Sequence, residues 1–165
     1  MYKVLGICGC GSNVLRYMMK QDTNNLELIS IQENPMVFEK SKAHKKILIN
    51  SELDKKLDKV LQNTSGVFIV FGLAGASSSH YSKFILKTVI DKGLDVKVIC
   101  IYPFNWEGKE RKEIADKTLH SIQELTSNIE VLKNEELLPL GNDNISTGDL
   151  FELFDKKIYD ITKDN

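Results

Sequence analysis

The sequence predicts a three-layer α/β domain, a mostly parallel β-sheet with helices packed on both faces. Short apolar runs of strand length alternate with stretches of helical periodicity along the chain, the pattern that builds strand–helix–strand crossovers. The run Val67-Phe68-Ile69-Val70-Phe71 is apolar at every position, as a central strand covered on both faces requires. The first apolar run ends in Gly9-Cys10-Gly11 and leads straight into a helical stripe. With 165 residues and no repeat, linker or low-complexity tract, the chain is expected to form one domain over residues 1–165.

The elements follow in order. Residues 2–8 read as a strand with Val4, Leu5 and Ile7 apolar, and Gly9-Cys10-Gly11 as a turn. Ser12 or Asn13 then caps a helix running to Lys20, striped by Val14, Leu15, Met18 and Met19. Residues 26–31 and 46–49 are the second and third strands. Residues 51–62 carry Leu53, Leu57, Val60 and Leu61 at helical spacing. Residues 66–73 form the buried strand, followed by a small-residue stretch and a helix over 79–92. Residues 95–101 are a strand broken by Pro103, residues 108–125 a long helix and residues 129–132 a short strand. The last helix, 146–162, has Leu150, Leu153, Phe154, Ile158 and Ile161 on its apolar side. In such sheets ligands bind beyond the carboxyl ends of the strands. The loops to read are therefore 8–13, 32–35, 50–52, 72–79, 102–108 and 133–137.

Composition narrows the function classes. Apolar residues are 42% and charged residues 27%, with 22 Lys plus Arg against 23 Asp plus Glu. That balance gives no electrostatic case for nucleic acid or an anionic membrane as partner. No apolar run approaches the roughly 18 residues of a bilayer span. The first residues lack the basic start and cleavage site of a signal peptide, so a cytoplasmic protein is expected. Three cysteines do not make a disulfide framework. Cys8 and Cys10 have no further ligands nearby in sequence, so small residues at a tight turn are expected there rather than a metal site.

The first loop, Gly6-Ile7-Cys8-Gly9-Cys10-Gly11-Ser12-Asn13, follows a strand and opens a helix. Glycines let backbone approach a ligand, and a helix N-terminus offers amides and a positive dipole to phosphate. A closing third glycine is missing, Val14 standing in its place. On this loop alone, a phosphate site and a plain strand-to-helix turn stand level.

Four segments, read together, resemble the FtsZ/tubulin family. Residues 3–13 are similar to the KVIGVGGGGxN-like opening of FtsZ. Pro103-Phe104-Asn105-Trp106-Glu107-Gly108-Lys109-Glu110-Arg111 resembles its PFxFEGxxR segment, the most specific match. Leu132-Lys133-Asn134-Glu135-Glu136-Leu137-Leu138 resembles its IPNDxLL loop. The stretch from Ile145 to Asp155 resembles the start of its central helix. The matches run in family order over nearly the whole chain.

The resemblance implies a Rossmann-like domain of the tubulin/FtsZ GTPase type that binds GTP or GDP, with Mg accompanying GTP. By position, Gly9, Cys10, Gly11 and Asn13 fall in the first phosphate and base loop, Asn13 near the guanine. Gly75, Ala76, Ser77, Ser78 and Ser79 fall in the main phosphate loop. Glu107 is placed at the ribose and Arg111 beside the sugar and phosphates. Asn134 and Asp155 would read the guanine edge, and Phe151 would stack on its face. A carboxylate suits guanine because it accepts from both N1–H and the exocyclic amine. Plainer roles stand beside these. Phe151 fits ordinary core, Glu107 and Arg111 fit an i,i+4 surface pair, Asp155 fits a pair with Lys156 or Lys157, and Asn134 fits a helix cap.

The chain departs from the family pattern in four places. The GGGTGTG-like signature reads Ala74-Gly75-Ala76-Ser77-Ser78-Ser79-His80, which puts methyl groups where bare backbone faces phosphate. Ser77 and Ser79, in place of threonines, leave a small polar loop able to cradle a diphosphate. The glycine-rich loop after the third strand is nearly gone, Ile49 leading at once to Ser51-Glu52-Leu53, so no γ-phosphate sensor is evident. The family's second domain, which supplies catalytic carboxylates to the next subunit, has no counterpart in these residues. The last helix is then expected to bare an apolar flank of Phe151, Phe154, Ile158 and Tyr159, favouring a partner or self-dimer. The expected function is an FtsZ-like guanine-nucleotide-binding module that modulates or caps a polymer or partner, full-length FtsZ for example, without hydrolysing GTP alone. The alternatives are a GTPase active only in mixed assembly with full-length FtsZ and an interaction pseudo-GTPase with an empty site.

Overall fold

The structure, a computed structural model, describes residues 1–140 and 146–163. Ile145, the first residue of the fourth matching segment, lies outside them. The element order is β1 (Tyr2–Ile7), α1 (Cys8–Met18), β2 (Leu26–Gln32), α2 (Pro35–Lys40), β3 (Lys45–Leu48), α3 (Leu53–Val60), β4 (Gly66–Gly72), α4 (Ala76–Asp91), β5 (Asp95–Tyr102), α5 (Lys109–Gln123), β6 (Ile129–Lys133) and α6 (Thr147–Lys163). Short 3-10 segments at Asn105–Glu107 and Asn134–Leu140 follow β5 and β6.

All strand pairs are parallel, in the order β3-β2-β1-β4-β5-β6. Leu5 pairs with Ile29 on one side and Ile69 on the other, and Ile69 with Val98. Alternation sends neighbouring side chains into two cores. Leu5, Ile7, Ile29, Ile69 and Phe71 pack beneath α3, α4 and α5 through Leu57, Ile85, Val89 and Ile122. Val4, Leu28, Phe68, Val70 and Ile99 meet Val14, Leu15 and Met18 of α1 and Phe154, Ile158 and Tyr159 of α6. Between β1 and β4 the order of connection reverses, which opens a crevice at their carboxyl ends.

Two helices start earlier than sequence signals predict. Gly9-Cys10-Gly11 is not a turn but the first turn of α1, which begins at Cys8 with no side-chain cap. The chain reverses at Cys8 itself, whose φ is 55°. Ser12 does not cap; its Oγ accepts from the Gln32 amide of β2. Likewise α4 begins at Ala76 rather than Ser79. Helix α2 carries no buried residue, so no apolar stripe announces it. Its start is set locally by Pro35 in the first turn and by Asn34 Oδ1 accepting from Met36 N at 2.9 Å.

On α6 the apolar side differs from expectation. Phe154, Ile158 and Tyr159 are buried, and Tyr159 Oη donates to Asp22 O at 2.7 Å. Phe151 and Leu153 remain 40% and 42% exposed. The bare flank is therefore narrower than the sequence suggests, because most of the aromatic face packs on α1 and the sheet. Among the described residues no helix is long and apolar enough to cross a membrane.

One close contact seats α1. A methyl group on Gly11 would lie 2.5 Å from the Gly6 carbonyl carbon and 2.7 Å from Val70 O, so helix, β1 and β4 touch through bare backbone. At Gly9 nothing lies within 4 Å of the same position. Gly11→Ala is expected to destabilise the chain by about 1–3 kcal/mol, the range for overpacking, while Gly9→Ala leaves stability near the parent. Urea denaturation midpoints of the two variants check this; an unchanged midpoint for Gly11→Ala would mean the helix can lift without cost.

Candidate functional site

The crevice at the carboxyl ends of the strands holds two adjoining cavities. The first, about 360 Å³, is walled by Cys8, Gly9 and Cys10 from the start of α1 and by Gly75, Ala76, Ser77 and Ser78 from the start of α4. Glu107, Arg111 and Asn134 form its other side. The second, about 270 Å³, is lined by Cys10, Asn13, Ile101, Asn134, Phe151, Phe154 and Asp155. Cys10, Ile101 and Asn134 border both, so the two form one elongated cleft.

The first cavity is built for negative charge by backbone. Helices α1 and α4 both point their N-termini into it. Neither has a side-chain cap, and neither has an acidic residue in its first turn. The first intrahelical bond of α4 runs from Ser79 N to Gly75 O at 2.8 Å, which leaves the amides of residues 76–78 without helical acceptors. Two positive dipole ends and their open amides therefore share one space.

The serine hydroxyls are already engaged. Ser78 Oγ donates to Gly72 O at 2.6 Å, Ser79 Oγ donates to Ala76 O at 2.9 Å, and Ser77 Oγ donates to the Glu33 carboxylate. An anion here would thus be held chiefly by amides. Gly75 is fixed by packing, since a methyl group would fall 2.5 Å from Ser78 Oγ. Ala74, at 4% exposure, and exposed Ala76 are the two methyl-bearing positions of this loop, and both line the cavity.

Glu107 and Arg111 pair: Arg111 Nε donates to Glu107 Oε2 at 2.7 Å, while Glu107 Oε1 accepts from Phe104 N at 2.9 Å. The i,i+4 pair and a place on the cleft wall coexist. Gly108, at φ 99°, makes the sharp step between them that starts α5.

At the other end, Asn134 is 8% exposed and its Oδ1 has no hydrogen-bond partner. A buried, unpaired acceptor costs free energy unless something meets it. The side chain borders both cavities and does not act as a cap. Asp155 lies on the second cavity's wall, and none of the ion pairs among the described residues includes it. Burial, helped by nearby Glu152 and opposed by Arg16, pushes its carboxyl up to about 6. Phe151 is not core: it stands edge-on to Phe104, centroids 6.0 Å apart, and Phe104 stacks on Trp106 at 3.9 Å. Asn13 Oδ1 accepts from Arg16 at 2.9 Å on the exposed rim. The Cys10 and Cys100 thiols are pushed up to about 12, chiefly by burial, which keeps them neutral.

Of the residues singled out from sequence, Gly11 and Ser79 do not line either cavity; Gly11 faces Gly6 and Ser79 turns back on Ala76. The others border the cleft. Residues 49–52 do not reach it. Sequence reading did not assign Cys8, Ile101 or Pro103, which line it, or Glu33, which holds Ser77, to the site. Loop 32–35 lay after a strand and was worth reading, but nothing local ties Glu33 to Ser77, 44 residues away.

No protein-family model matches the chain. Among curated proteins it is 25% identical over 173 residues to the cell division protein FtsZ of Aquifex aeolicus, covering 93% of this chain and 47% of that protein. It is 22% identical over 178 residues to the mitochondrial division protein fszB of Dictyostelium discoideum, covering 94% of this chain and 49% of that one. Among solved structures, an empty FtsZ dimer from M. jannaschii superposes with a TM-score of 0.86 at 21% identity, over 98% of this chain and 53% of that one. GDP-bound CetZ1 from Haloferax volcanii gives 0.76 at 14% identity, over 97% and 58%. The chain spans about half the length of these relatives. Sequence similarity along nearly all its residues and a shared parallel α/β fold make this chain FtsZ-like, similar to FtsZ over about half of that protein's length.

Proposed function

We propose that these residues form a guanine-nucleotide-binding module that works through contacts with a polymer or partner and does not hydrolyse GTP alone. The observation that carries this reading is one cleft with two complementary ends. Uncapped N-termini of α1 and α4 meet at one end, and the buried, unpartnered Asn134 beside Asp155 stands at the other. The first end suits a diphosphate. At the second, the Asp155 carboxylate accepts from guanine N1–H and its amine, and Asn134 both donates and accepts. Phe151 offers a ring face beside them. A related protein, CetZ1, has been solved with GDP. Among the described residues no group of three His, Cys, Asp or Glu side chains is placed to hold a metal. Magnesium arriving with GTP would take oxygens from the nucleotide itself.

Hydrolysis needs a base or a positioning group for water. Among the described residues Glu107 is the one carboxylate lining the first cavity, and its two oxygens already accept from Phe104 N and Arg111. Leu138, Leu140, Phe151, Leu153 and Trp106 are large and exposed, and Phe151 lines the second cavity, apolar surface suited to a protein neighbour. A contact of that kind made at one face only accepts a neighbour without propagating, which ends a filament rather than extending it.

GDP binds more tightly than ADP by calorimetry, and Asp155→Ala weakens GDP binding by about 1–3 kcal/mol; equal affinities for the two nucleotides would sink the base assignment.

The raised carboxyl of Asp155 adds a pH signature. Because the folded chain holds that proton more tightly than an ordinary carboxyl near 4, its contribution to stability is complete below about 4. That contribution is lost as pH rises through about 6. Asp155→Asn should abolish this loss in the nucleotide-free chain. Guanine needs the ionised form, so GDP affinity should fall as pH drops below about 6. Phosphate titrates nearby, and the difference between parent and Asp155→Asn isolates the carboxyl.

The pure chain should release phosphate from GTP far more slowly than about 1 per second, a common enzyme rate. Added in increasing amounts to polymerising full-length FtsZ, it should lower the light scattering. Phosphate release appearing only in that mixture would favour a shared GTPase instead, and no effect on the polymer would point to another partner.

A further inference from the structure

We infer that Glu33 sets the phosphate number of the ligand, favouring a nucleoside diphosphate over a triphosphate. The inference rests on the guanine-nucleotide reading above and deepens it. The direction of the ligand follows from the strand order. Along the carboxyl edge stand Asn134 after β6, Glu107 after β5, Ala76 to Ser78 after β4, Cys8 to Cys10 after β1, and then Glu33 after β2. A nucleotide with its base beside Asn134 and its phosphates over the α4 and α1 N-termini extends, with each added phosphate, toward Glu33.

The carboxylate is held in place there. It accepts from Ser77 Oγ, a residue of the cavity wall, and from Tyr81 Oη one turn further along α4 at 3.4 Å. The Glu33 backbone N–H meets the thiol of Cys8, the first residue of α1, and its charge adds to burial in raising that thiol. Glu33 therefore bridges the starts of both helices that face the cavity. None of the ion pairs among the described residues includes it. The cation on the cavity wall, Arg111, is engaged by Glu107.

The charge balance follows. Two helix N-termini supply about half a positive charge each, enough to favour a diphosphate. A third phosphate brings more negative charge beside a held carboxylate, and among the described residues the cavity wall has no side-chain cation besides the paired Arg111 to offset it. A divalent cation between the two would relieve the repulsion. The plainer role, a carboxylate that only steadies the start of α4, would alter stability and leave the choice between nucleotides untouched.

Calorimetry of the full chain with GDP and with GTP, first in EDTA and then in magnesium, separates these outcomes. In EDTA the parent should prefer GDP. Glu33→Gln keeps one acceptor oxygen, for Ser77, and turns its amide toward the Tyr81 oxygen, while removing the charge; it should tighten GTP relative to GDP by roughly five- to tenfold, the size of one partly solvated like-charge contact. Ser77→Ala, which frees the carboxylate from α4, should move the GTP-to-GDP ratio the same way. Magnesium should tighten GTP more for the parent than for Glu33→Gln. An unchanged ratio in both variants, or weaker GTP binding by Glu33→Gln, overturns the role of Glu33 alone. A parent chain that binds neither nucleotide overturns the guanine-nucleotide reading and this inference with it.

Discussion

At its first turn helix α1 meets β1 and β4 through bare backbone. Gly6 on the strand and Gly11 on the helix face each other, and Val70 O closes the same space. Because the helix sits this deep, it begins at Cys8, directly at the strand's end, and its first amides open into the crevice rather than over solvent. The same placement brings Cys10 to the border of both cavities and lets α6 pack against α1 and the sheet through Phe154, Ile158 and Tyr159. Asp155 reaches the cleft only because α6 is carried there. A contact between two glycines thus sets the position of groups at both ends of the site.

The polar groups of the cleft divide into those that are satisfied and those that are not. Ser77, Ser78, Ser79, Glu107 and Arg111 all have protein partners. The first-turn amides of two helices, the Asn134 oxygen and a desolvated Asp155 do not. Leaving such groups open costs stability, and on the proposed reading they are the groups a guanine nucleotide meets. The altered phosphate loop changes how a ligand would be held more than whether it could be: its hydroxyls turn inward, and backbone replaces them.

The sheet was legible because its signals are strong. A wholly apolar strand such as Gly66–Gly72 has few alternative readings, and amphipathic helices such as Leu53–Val60 show their spacing. Misreadings cluster where local rules are suspended. Rules for helix starts look for a polar cap, and α1 and α4 have none because their ends face the cleft. The helix Pro35–Lys40 buries nothing and so left no stripe, although Asn34-Pro35 marked its start. Most of the cleft could be named only through the ordered resemblance; neither Asn134 nor Asp155 carries a local signal that separates ligand contact from capping or pairing. Glu33 escaped because its meaning depends on Ser77, which folding alone brings near.

The most direct measurement is the nucleotide content of the protein as purified, read by denaturing it and separating what is released by chromatography, with added GDP titrated into any empty fraction. A cleft with open amides at one end and the unpartnered Asn134 oxygen at the other predicts, on the proposed reading, GDP released in near-stoichiometric amount, or tight uptake of added GDP by the empty chain. Protein that carries no nucleotide and takes up none when GDP is supplied would contradict the account.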